Sequence, residues 1–174
     1  MKELQTERLT LKPMSPEYLE STHEYASDPE NTVYMLFLPN DSIDDTLNYL
    51  KGAEEEFKKE KPSFYEMAVI LDGKHIGAVS LYLNESGDLA EFGWMLNKRY
   101  HGKGYGFEAA KALMEYGKNE LGIRHFIAHC DTENIASRRV MEKLGMVCTG
   151  EHGGRHSKNF KEERREFTFE ISFY

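Results

Sequence analysis

Cysteine is scarce in this sequence, and its two occurrences, Cys130 and Cys148, do not form a CxxC pair. A chain of 174 residues, 40% of them hydrophobic, can bury a core without disulfides. The composition therefore excludes a disulfide-stapled scaffold and a cysteine-rich zinc domain. We expect one domain over residues 1–174, in a reducing, cytoplasmic compartment where both cysteines are free.

The sequence also lacks a long apolar run and an excess of positive charge. No stretch approaches the ~18 apolar residues of a membrane span, and the opening MKELQTERLTL lacks the apolar segment of a signal peptide. Lysine and arginine number 22 against 30 aspartates and glutamates, which gives a net charge of -8. Because general nucleic-acid binding needs a basic face, we expect neither nucleic acid nor a membrane as a partner.

Two histidine pairs have HxxxH spacing, His125 with His129 and His152 with His156. On a strand, four residues span about 13 Å, which is too far for two ligands of one metal ion. We therefore expect no metal cofactor.

The hydrophobic pattern predicts a strand, two helices, three strands, a helix, a strand, a helix and two final strands. Turn signals such as Asp72-Gly73 separate the three central strands, so we expect these strands to be antiparallel. A helix separates the strand ending near Leu96 from the strand starting near Ile123, so these two should be parallel neighbours. The predicted fold class is α/β, with a mixed, mostly antiparallel sheet and flanking helices.

The segment RYHGKGYG, residues 99–106, places three glycines directly before a helical pattern. It lacks the GxxxxGK of a Walker loop, and from Gly104 it matches only the looser GxGxxA form of the Rossmann fingerprint. A strand, a glycine-rich turn and a helix N-terminus still present unpaired backbone amides to an anion. The alternative is that the glycines only make a tight connection between strand and helix.

The same turn matches a known pattern. HGKGYG resembles the pyrophosphate-binding pattern Q/R-x-x-G-x-G/A on His101, Gly104 and Gly106, with His101 in place of Gln or Arg. In a second register, two residues earlier, Arg99, Gly102 and Gly104 match the pattern literally.

Two further motifs complete the resemblance. NIASRRVMEKLGM resembles N-x-x-A/S followed by K-x-G-F, with Met146 in place of Phe, and TERLTLKPM resembles T-x-R-L-x-L-R-P, with Lys12 in place of Arg. On these motifs the chain resembles the GNAT superfamily of acetyl-CoA-dependent N-acetyltransferases, and within it the branch that contains the ribosomal-protein alanine N-acetyltransferases. The resemblance implies a twisted sheet whose parallel strand pair splays apart, and acetyl-CoA as co-substrate.

The resemblance also implies where acetyl-CoA binds. The pantetheine arm would lie in the splayed gap and pair with the backbone of the strand that ends at Leu96, and the pyrophosphate would lie on the glycine-rich turn. The implied cofactor-binding residues are Met95, Leu96, His101, Gly102, Lys103, Gly104, Tyr105, Gly106, Asn134 and Ser137. For the last two, the alternative is a plain helix start with Asn134 as N-cap.

Acyl transfer requires a neutral amine, so a general base assists it. The resemblance suggests Glu91, which shares a strand face with Gly93; a solvated or structurally paired glutamate is the alternative. Many relatives carry a tyrosine, acting as general acid, seven residues after the motif asparagine. Here that position is Met141, which cannot donate a proton. We therefore predict that the Ser137 hydroxyl hydrogen-bonds the leaving thiol or the end of the pantetheine arm.

The acceptor is predicted to be a primary amine. An α-amino group has a pKa near 8, so roughly a tenth of it is neutral at pH 7, and lysine is neutral far less often, so a base that removes the proton helps with either. The branch resemblance implies a protein N-terminal α-amine as the acceptor. The alternatives are a small-molecule amine (a polyamine, aminoglycoside or amino-acid derivative) and a non-catalytic acetyl-CoA-binding module. The sequence leaves open whether the chain is a monomer or a homodimer.

The resemblance also places the acceptor wall in the region of the first two helices and the following strand. That region contributes Tyr34, Phe37, Phe64 and Tyr65. The alternative is that these aromatic side chains only fill the core.

Overall fold

A computed structural model describes residues 3–174, which form one sheet with helices on both faces. The helices are α1 (Leu19–Ala26), α2 (Ile43–Phe57), α3 (Tyr105–Glu120) and α4 (Ile135–Lys143). The strands are β1 (Leu4–Gln5), β2 (Leu9–Pro13), β3 (Phe64–Leu71), β4 (Lys74–Leu83), β5 (Leu89–Leu96), β6 (His125–Asp131), β7 (Val147–Arg155) and β8 (Arg164–Ser172). No helix in this part of the chain is both long and apolar enough to cross a membrane.

The strands lie side by side in the order β1-β2-β3-β4-β5-β6-β8-β7. Neighbours are antiparallel, except that β5 and β6 run parallel, as expected for strands joined through α3. The predicted mixed, mostly antiparallel α/β fold is therefore confirmed. The short strand β1, which adds an edge beside β2, was not predicted.

The parallel strands separate part-way along their length. β5 and β6 pair over their first four residues each, up to Phe92 and Ala128. Beyond that point Gly93–Leu96 pairs with β4 alone, and His129–Asp131 pairs with β8 alone. The facing edges of these two segments therefore border a gap between β5 and β6, which confirms the splayed pair that the resemblance implied.

Strand alternation gives the two faces of the sheet different surroundings. On one face, Phe92 and Leu96 of β5 pack in the larger core with Leu113 of α3 and Met141 of α4. On the other face, which we call the α1/α2 face, lies the alternate set of β5 residues, which includes Glu91. A smaller core lies there, formed by Met14, Leu50, Ala53, Ala68 and Ala78.

Of the two helical segments that begin on the α1/α2 face, only α2 starts with a side-chain cap. Ser42 and Asp45 have the spacing of a capping box, and each side chain accepts the backbone N–H of the other residue. Ser15 precedes a single 3₁₀ turn at Pro16–Tyr18, but its side chain caps no amide. Its hydroxyl donates to the Glu17 carboxylate instead, at 3.1 Å.

Candidate active site

The backbone of β5 faces the gap through alternate residues. The Met95 carbonyl oxygen points towards β4. It lies so close to Gly77 of β4 that a Cβ added to that glycine would collide with it. Consecutive strand residues direct their backbone groups to opposite edges. Trp94 and Leu96 therefore face the gap, whereas the sequence-based expectation chose Met95 beside Leu96.

The Leu96 carbonyl is already engaged at the end of β5. It accepts hydrogen bonds from the His101 ring Nε2 at 2.9 Å and from the Asn31 amide at 3.2 Å. A carbonyl oxygen has two lone pairs, so both are used. His101, which replaces the Gln or Arg of the motif, thus ties the glycine-rich turn to the strand end.

The glycine-rich turn leaves a run of backbone amides without partners. Gly102 and Gly104 have φ of +76° and +84°, a region that side chains rarely adopt. The first bond of α3 runs from the Glu108 amide to the Gly104 carbonyl, at 3.0 Å. Among the described residues, none accepts a hydrogen bond from the amides of residues 102–107. Together with the helix dipole, these amides form a binding site for an anion.

A clamp formed by Thr6 and Arg8 fixes the turn in place. The Thr6 hydroxyl and the Arg8 guanidinium donate to the Glu108 carboxylate at 2.6 and 2.7 Å. Arg8 also donates to the Lys103 carbonyl at 3.1 Å and lies over the Tyr105 ring at 4.6 Å. Burial acts to raise the pKa of Glu108, but these hydrogen bonds outweigh it and hold the pKa below its usual value. The opening TERL motif, noted above only as a mark of resemblance, thus positions the anion site.

The start of α4 lies after the end of β6, on the far side of the gap from β5. Asn134 is the N-cap, and its side-chain oxygen accepts the Ser137 amide at 3.1 Å. The Ser137 side chain is half-buried, and its hydroxyl makes no hydrogen bond to a described residue. Met141 is fully buried in the larger core, so its side chain packs the interior.

Two carboxylates lie on the α1/α2 face near the gap. Glu91 is exposed and pairs in register with Tyr82 of β4. One residue beyond the last β5–β6 pair, Gly93 lies opposite Ser80, which lies opposite Glu66 of β3. Glu66, Ser80 and Gly93 therefore form a row across the sheet that ends where the gap begins.

Glu66 is a buried carboxylate without a cationic partner. It is 4% exposed, and the Tyr82 hydroxyl donates to it at 3.1 Å, with Tyr49 of α2 close by. Burial raises its pKa to about 7, although both tyrosines act to lower it. No ion pair in residues 3–174 includes Glu66. Sequence reasoning missed it; the signal was one glutamate inside the strand FYEMAVIL.

His125 and His129, one of the two histidine pairs with HxxxH spacing, each have a hydroxyl partner. His125 Nδ1 lies 2.8 Å from the Ser172 hydroxyl, and His129 Nδ1 lies 3.1 Å from the Thr168 hydroxyl. Within the described chain, no three His, Cys, Asp or Glu side chains are grouped so as to hold a metal ion.

Comparison with known proteins identifies the family. The profile of the family described as "Acetyltransferase (GNAT) domain" matches residues 8–147. The chain belongs to the GNAT acetyltransferase family. It is 33% identical over 141 residues to the "Uncharacterized N-acetyltransferase YnaD" of Bacillus subtilis, covering 81% of this chain and 80% of that protein.

Solved structures of acetyltransferases share the fold of this one. A GNAT-family acetyltransferase from Bacillus anthracis superimposes with a TM-score of 0.81 at 30% identity, covering 98% of each chain. The ribosomal L7/L12 α-N-protein acetyltransferase RimL, in complex with coenzyme A, superimposes with a TM-score of 0.79 at 15% identity, covering 96% of this chain and 97% of that chain. The second likeness, at this low identity, concerns the fold alone.

Two loops of the acetyltransferase meet beside the open end of the gap: residues 27–42, between α1 and α2, and residues 156–163, between β7 and β8. Arg155 donates to the Tyr34 carbonyl at 2.8 Å, and the Tyr34 ring stacks on Phe160 with centroids 6.5 Å apart. Arg164 lies over Phe160 at 4.1 Å and donates to Asp131, the last residue of β6, at 2.8 Å. This contact network forms a wall at the open end of the gap; we call the gap and the α1/α2 face beside it the cleft.

Three of the four aromatic residues expected in the acceptor wall lie away from the larger core. Tyr34 is in the loop contact, Phe37 is 85% exposed, and Phe64 stacks on Tyr82 with centroids 5.5 Å apart. Tyr65 points to the opposite face, where it meets Tyr116 of α3. The expectation for Tyr65 was wrong because neighbouring strand residues alternate between faces.

The anion site of the acetyltransferase can be tested at Gly106. A Cβ there would meet nothing closer than Leu96 Cδ1 at 3.8 Å, and the residue lies in a helical turn. Gly106→Val therefore has room for its Cβ, and valine is no worse than glycine in a helix. If a pyrophosphate approaches these amides closely, the branched side chain blocks it, and we expect acetyl-CoA affinity to fall roughly tenfold, measured by calorimetric titration, with a nearly unchanged Tm.

Gly52→Val is the matched control, because Gly52 lies within α2 and nothing is within 4 Å of its added Cβ. It should leave acetyl-CoA affinity unchanged. Gly104 is a weaker test, since its φ of +84° strains any side chain. Equal affinity in Gly106→Val and the parent would contradict a phosphate bound against this turn.

Ser137 offers a smaller test at the other side of the gap. If its hydroxyl bonds the thiol or the pantetheine end, Ser137→Ala loses one hydrogen bond, worth about 0.5–1.5 kcal/mol. We expect kcat/KM for acetyl transfer to fall by a few-fold to about tenfold. The helix start should persist, because the Ser137 amide and not its hydroxyl bonds Asn134. Kinetics identical to those of the parent would assign Ser137 to the helix start alone.

Proposed function

We propose that this GNAT acetyltransferase moves the acetyl group of acetyl-CoA to a primary amine bound on the α1/α2 face. The observation that carries the proposal is the gap between β5 and β6, with the unpartnered amides of residues 102–107 beside it. The gap offers free backbone groups that can bind an extended chain, and the amides can bind an anion. Acetyl-CoA combines a pyrophosphate with an amide-containing arm, so the residues present fit it.

The residues that would hold acetyl-CoA follow from this geometry. The amides from Gly102 to Phe107 would bind the pyrophosphate, and the Trp94 and Leu96 edge would line the arm. To accept a hydrogen bond from the cofactor, the Leu96 carbonyl would have to give up its hydrogen bond with either His101 or Asn31. Lys103 and Tyr105 lie in the turn that Arg8 fixes, and we propose that they contact the cofactor beside it.

Glu91 is the proposed general base. It is exposed on the α1/α2 face, one residue before the last β5–β6 pair, so a carboxylate there can reach an amine that enters from solvent, directly or through one water. Acetyl-CoA supplies an activated acyl group on a thiol that leaves readily. As the amine nitrogen bonds to the acyl carbon and the carbon–sulfur bond breaks, Glu91 would take the amine proton. Ser137 would donate a hydrogen bond to the departing sulfur.

For the acceptor, we propose first a protein N-terminal α-amine, which is supported by its higher neutral fraction and the TERLTLKPM opening. The structural neighbour RimL is named for such a reaction on ribosomal L7/L12, although that likeness concerns fold. A small cationic amine is the second candidate, and the buried Glu66 carboxylate beside the cleft favours it.

One acceptor screen tests the function. The protein is incubated with acetyl-CoA and a panel of short peptides with free α-amines, diamines, aminoglycosides and amino acids, and thiol release is followed. Transfer to peptides with free N-termini, abolished by N-terminal blocking, supports the first candidate. Turnover only with small amines supports the second. Tight acetyl-CoA binding without turnover on any amine would indicate a binding module.

A further inference from the structure

The cleft contains a second group of polar side chains, which have no role in the acetyl transfer proposed above. Glu66 lies at the base of this group; Tyr82 from β4 hydrogen-bonds its carboxylate, and Tyr49 from α2 lies near it. Glu66 is 4% exposed, whereas Tyr49 and Tyr82 are 39% and 44% exposed. The two rings therefore cover the carboxylate and themselves face solvent.

A buried carboxylate is costly unless a positive charge accompanies it. The titratable groups that act on Glu66 or are acted on by it are three tyrosines, Tyr25, Tyr49 and Tyr82, and none of them is a cation. Exposed tyrosine rings beside a carboxylate are suited to an ammonium group, since the ring face attracts cations. The chain's net charge of -8 also favours a cationic ligand.

We propose that Glu66, Tyr49 and Tyr82 form a subsite for a second ammonium group of the acceptor. The inference rests on the proposed acetyltransferase function and adds that the acceptor carries two positive groups. Glu66 and Gly93 are two strands apart in one row, which is roughly 10 Å between α-carbons. An acceptor whose reactive nitrogen lies at the gap would thus reach the subsite with a second nitrogen about 8–10 Å away.

Stacking holds the rim of this subsite in place. The Tyr82 ring packs on Phe64 with centroids 5.5 Å apart, which directs its hydroxyl to Glu66 rather than to Glu91, its neighbour on β5. The charges of both Glu66 and Glu91 act on the Tyr82 hydroxyl. Tyr82 therefore lies between the proposed base and the proposed ammonium subsite.

Binding is measured by calorimetry, so the result does not depend on turnover. Straight-chain diamines from diaminoethane to diaminooctane, with hexylamine as the single-charge control, are titrated into the protein saturated with coenzyme A. The measurement is made at about pH 8, where the Glu66 carboxylate is charged. We expect affinity to peak at one diamine length and to exceed that of hexylamine by about tenfold or more, as for a charge-assisted hydrogen bond.

Glu66→Gln should abolish the diamine preference and leave hexylamine binding unchanged. Glu85→Gln, which removes an exposed carboxylate from the β4–β5 turn, should bind diamines as the parent does. Tyr82→Phe keeps the ring and removes the hydroxyl, and should weaken only diamines, by a few-fold. Diamines binding no tighter than hexylamine, or equally well to Glu66→Gln, would overturn the subsite.

A peptide pair distinguishes the two sources of a second ammonium group. Ala-Lys-Ala and Ala-norleucine-Ala differ only in the side-chain charge, and preference for the lysine peptide that is lost in Glu66→Gln would point to a peptide acceptor. Thiol release with the same ligands separates the two proposals. Transfer to monoamines without a diamine preference refutes the subsite alone, whereas diamine binding without transfer to any amine refutes the proposed function.

Discussion

Replacing Glu91 with glutamine should lower kcat for acetyl transfer by roughly 10²–10⁴-fold, the usual contribution of a general base. Glutamine keeps the size and the hydrogen-bonding capacity of the side chain but cannot take the amine proton. The deficit should shrink as pH rises and more of the acceptor amine is neutral without help. Acetyl-CoA affinity should be nearly unchanged, because the proposed cofactor contacts lie on the turn and on the backbone of β5.

Steady-state kinetics over a range of pH, with acetyl-CoA affinity measured separately, provide the test. Glu85→Gln is the matched control, since it removes another exposed glutamate near the same strand and should leave kcat unchanged. A loss of less than about threefold at every pH, set against the range expected for a base, would remove Glu91 from the reaction. Glu66 could not serve as the general base instead, since it lies roughly 10 Å from the gap across two strands.

The parts of the fold that follow from local sequence signals were predictable. Asp72-Gly73 indicated a hairpin, and β3 and β4 pair across it. The parallel pairing of β5 and β6 followed from the helix between them. The separation of the strands after Phe92 did not follow from periodicity; only the resemblance implied it, because register between distant strands is a tertiary property.

Local motifs indicated the glycine-rich turn before α3 and the Asn134 N-cap of α4, whereas contacts between residues distant in sequence were not predicted. His101 was expected at the pyrophosphate, but its ring donates to Leu96 at the end of β5. Arg8 and Glu108 are 100 residues apart, so no local pattern joins them. Glu66 stands in an apolar strand, and only the packing of α2 over β3 shows that its carboxylate is enclosed. The Met95 carbonyl faces β4, so the backbone groups of Trp94 face the gap; sequence alone did not indicate this strand phase, which one residue of register reverses.

The buried Glu66 carboxylate should also make stability fall as pH rises. Its pKa is about 7 in the folded protein against an ordinary value of 4.5, so between these values the folded chain keeps a proton that the unfolded chain releases. The contribution of Glu66 to the unfolding free energy is therefore fully present below about pH 4.5 and is lost as pH rises to about 7. Since a tenfold change in an acid constant corresponds to about 1.4 kcal/mol, this carboxylate removes about 3 kcal/mol of unfolding free energy.

His75 acts in the opposite direction and must be separated from Glu66. Burial lowers the His75 pKa to about 4 from 6.5, so that group makes the protein more stable as pH rises between these values. The parent profile would therefore be nearly flat where the two effects overlap. Glu66→Gln leaves His75 in place, so subtracting the variant's unfolding free energy from that of the parent isolates the carboxylate.

We expect this difference, from urea unfolding at a series of pH values, to fall by about 3 kcal/mol between about pH 4.5 and pH 7 and to be constant above that. Glu85→Gln, which removes an exposed carboxylate, should give a difference near zero at every pH. A flat difference for Glu66→Gln would mean that water reaches the carboxylate in the folded protein and keeps its charge solvated. The deep end of the cleft would then be open to solvent rather than enclosed by Tyr49 and Tyr82.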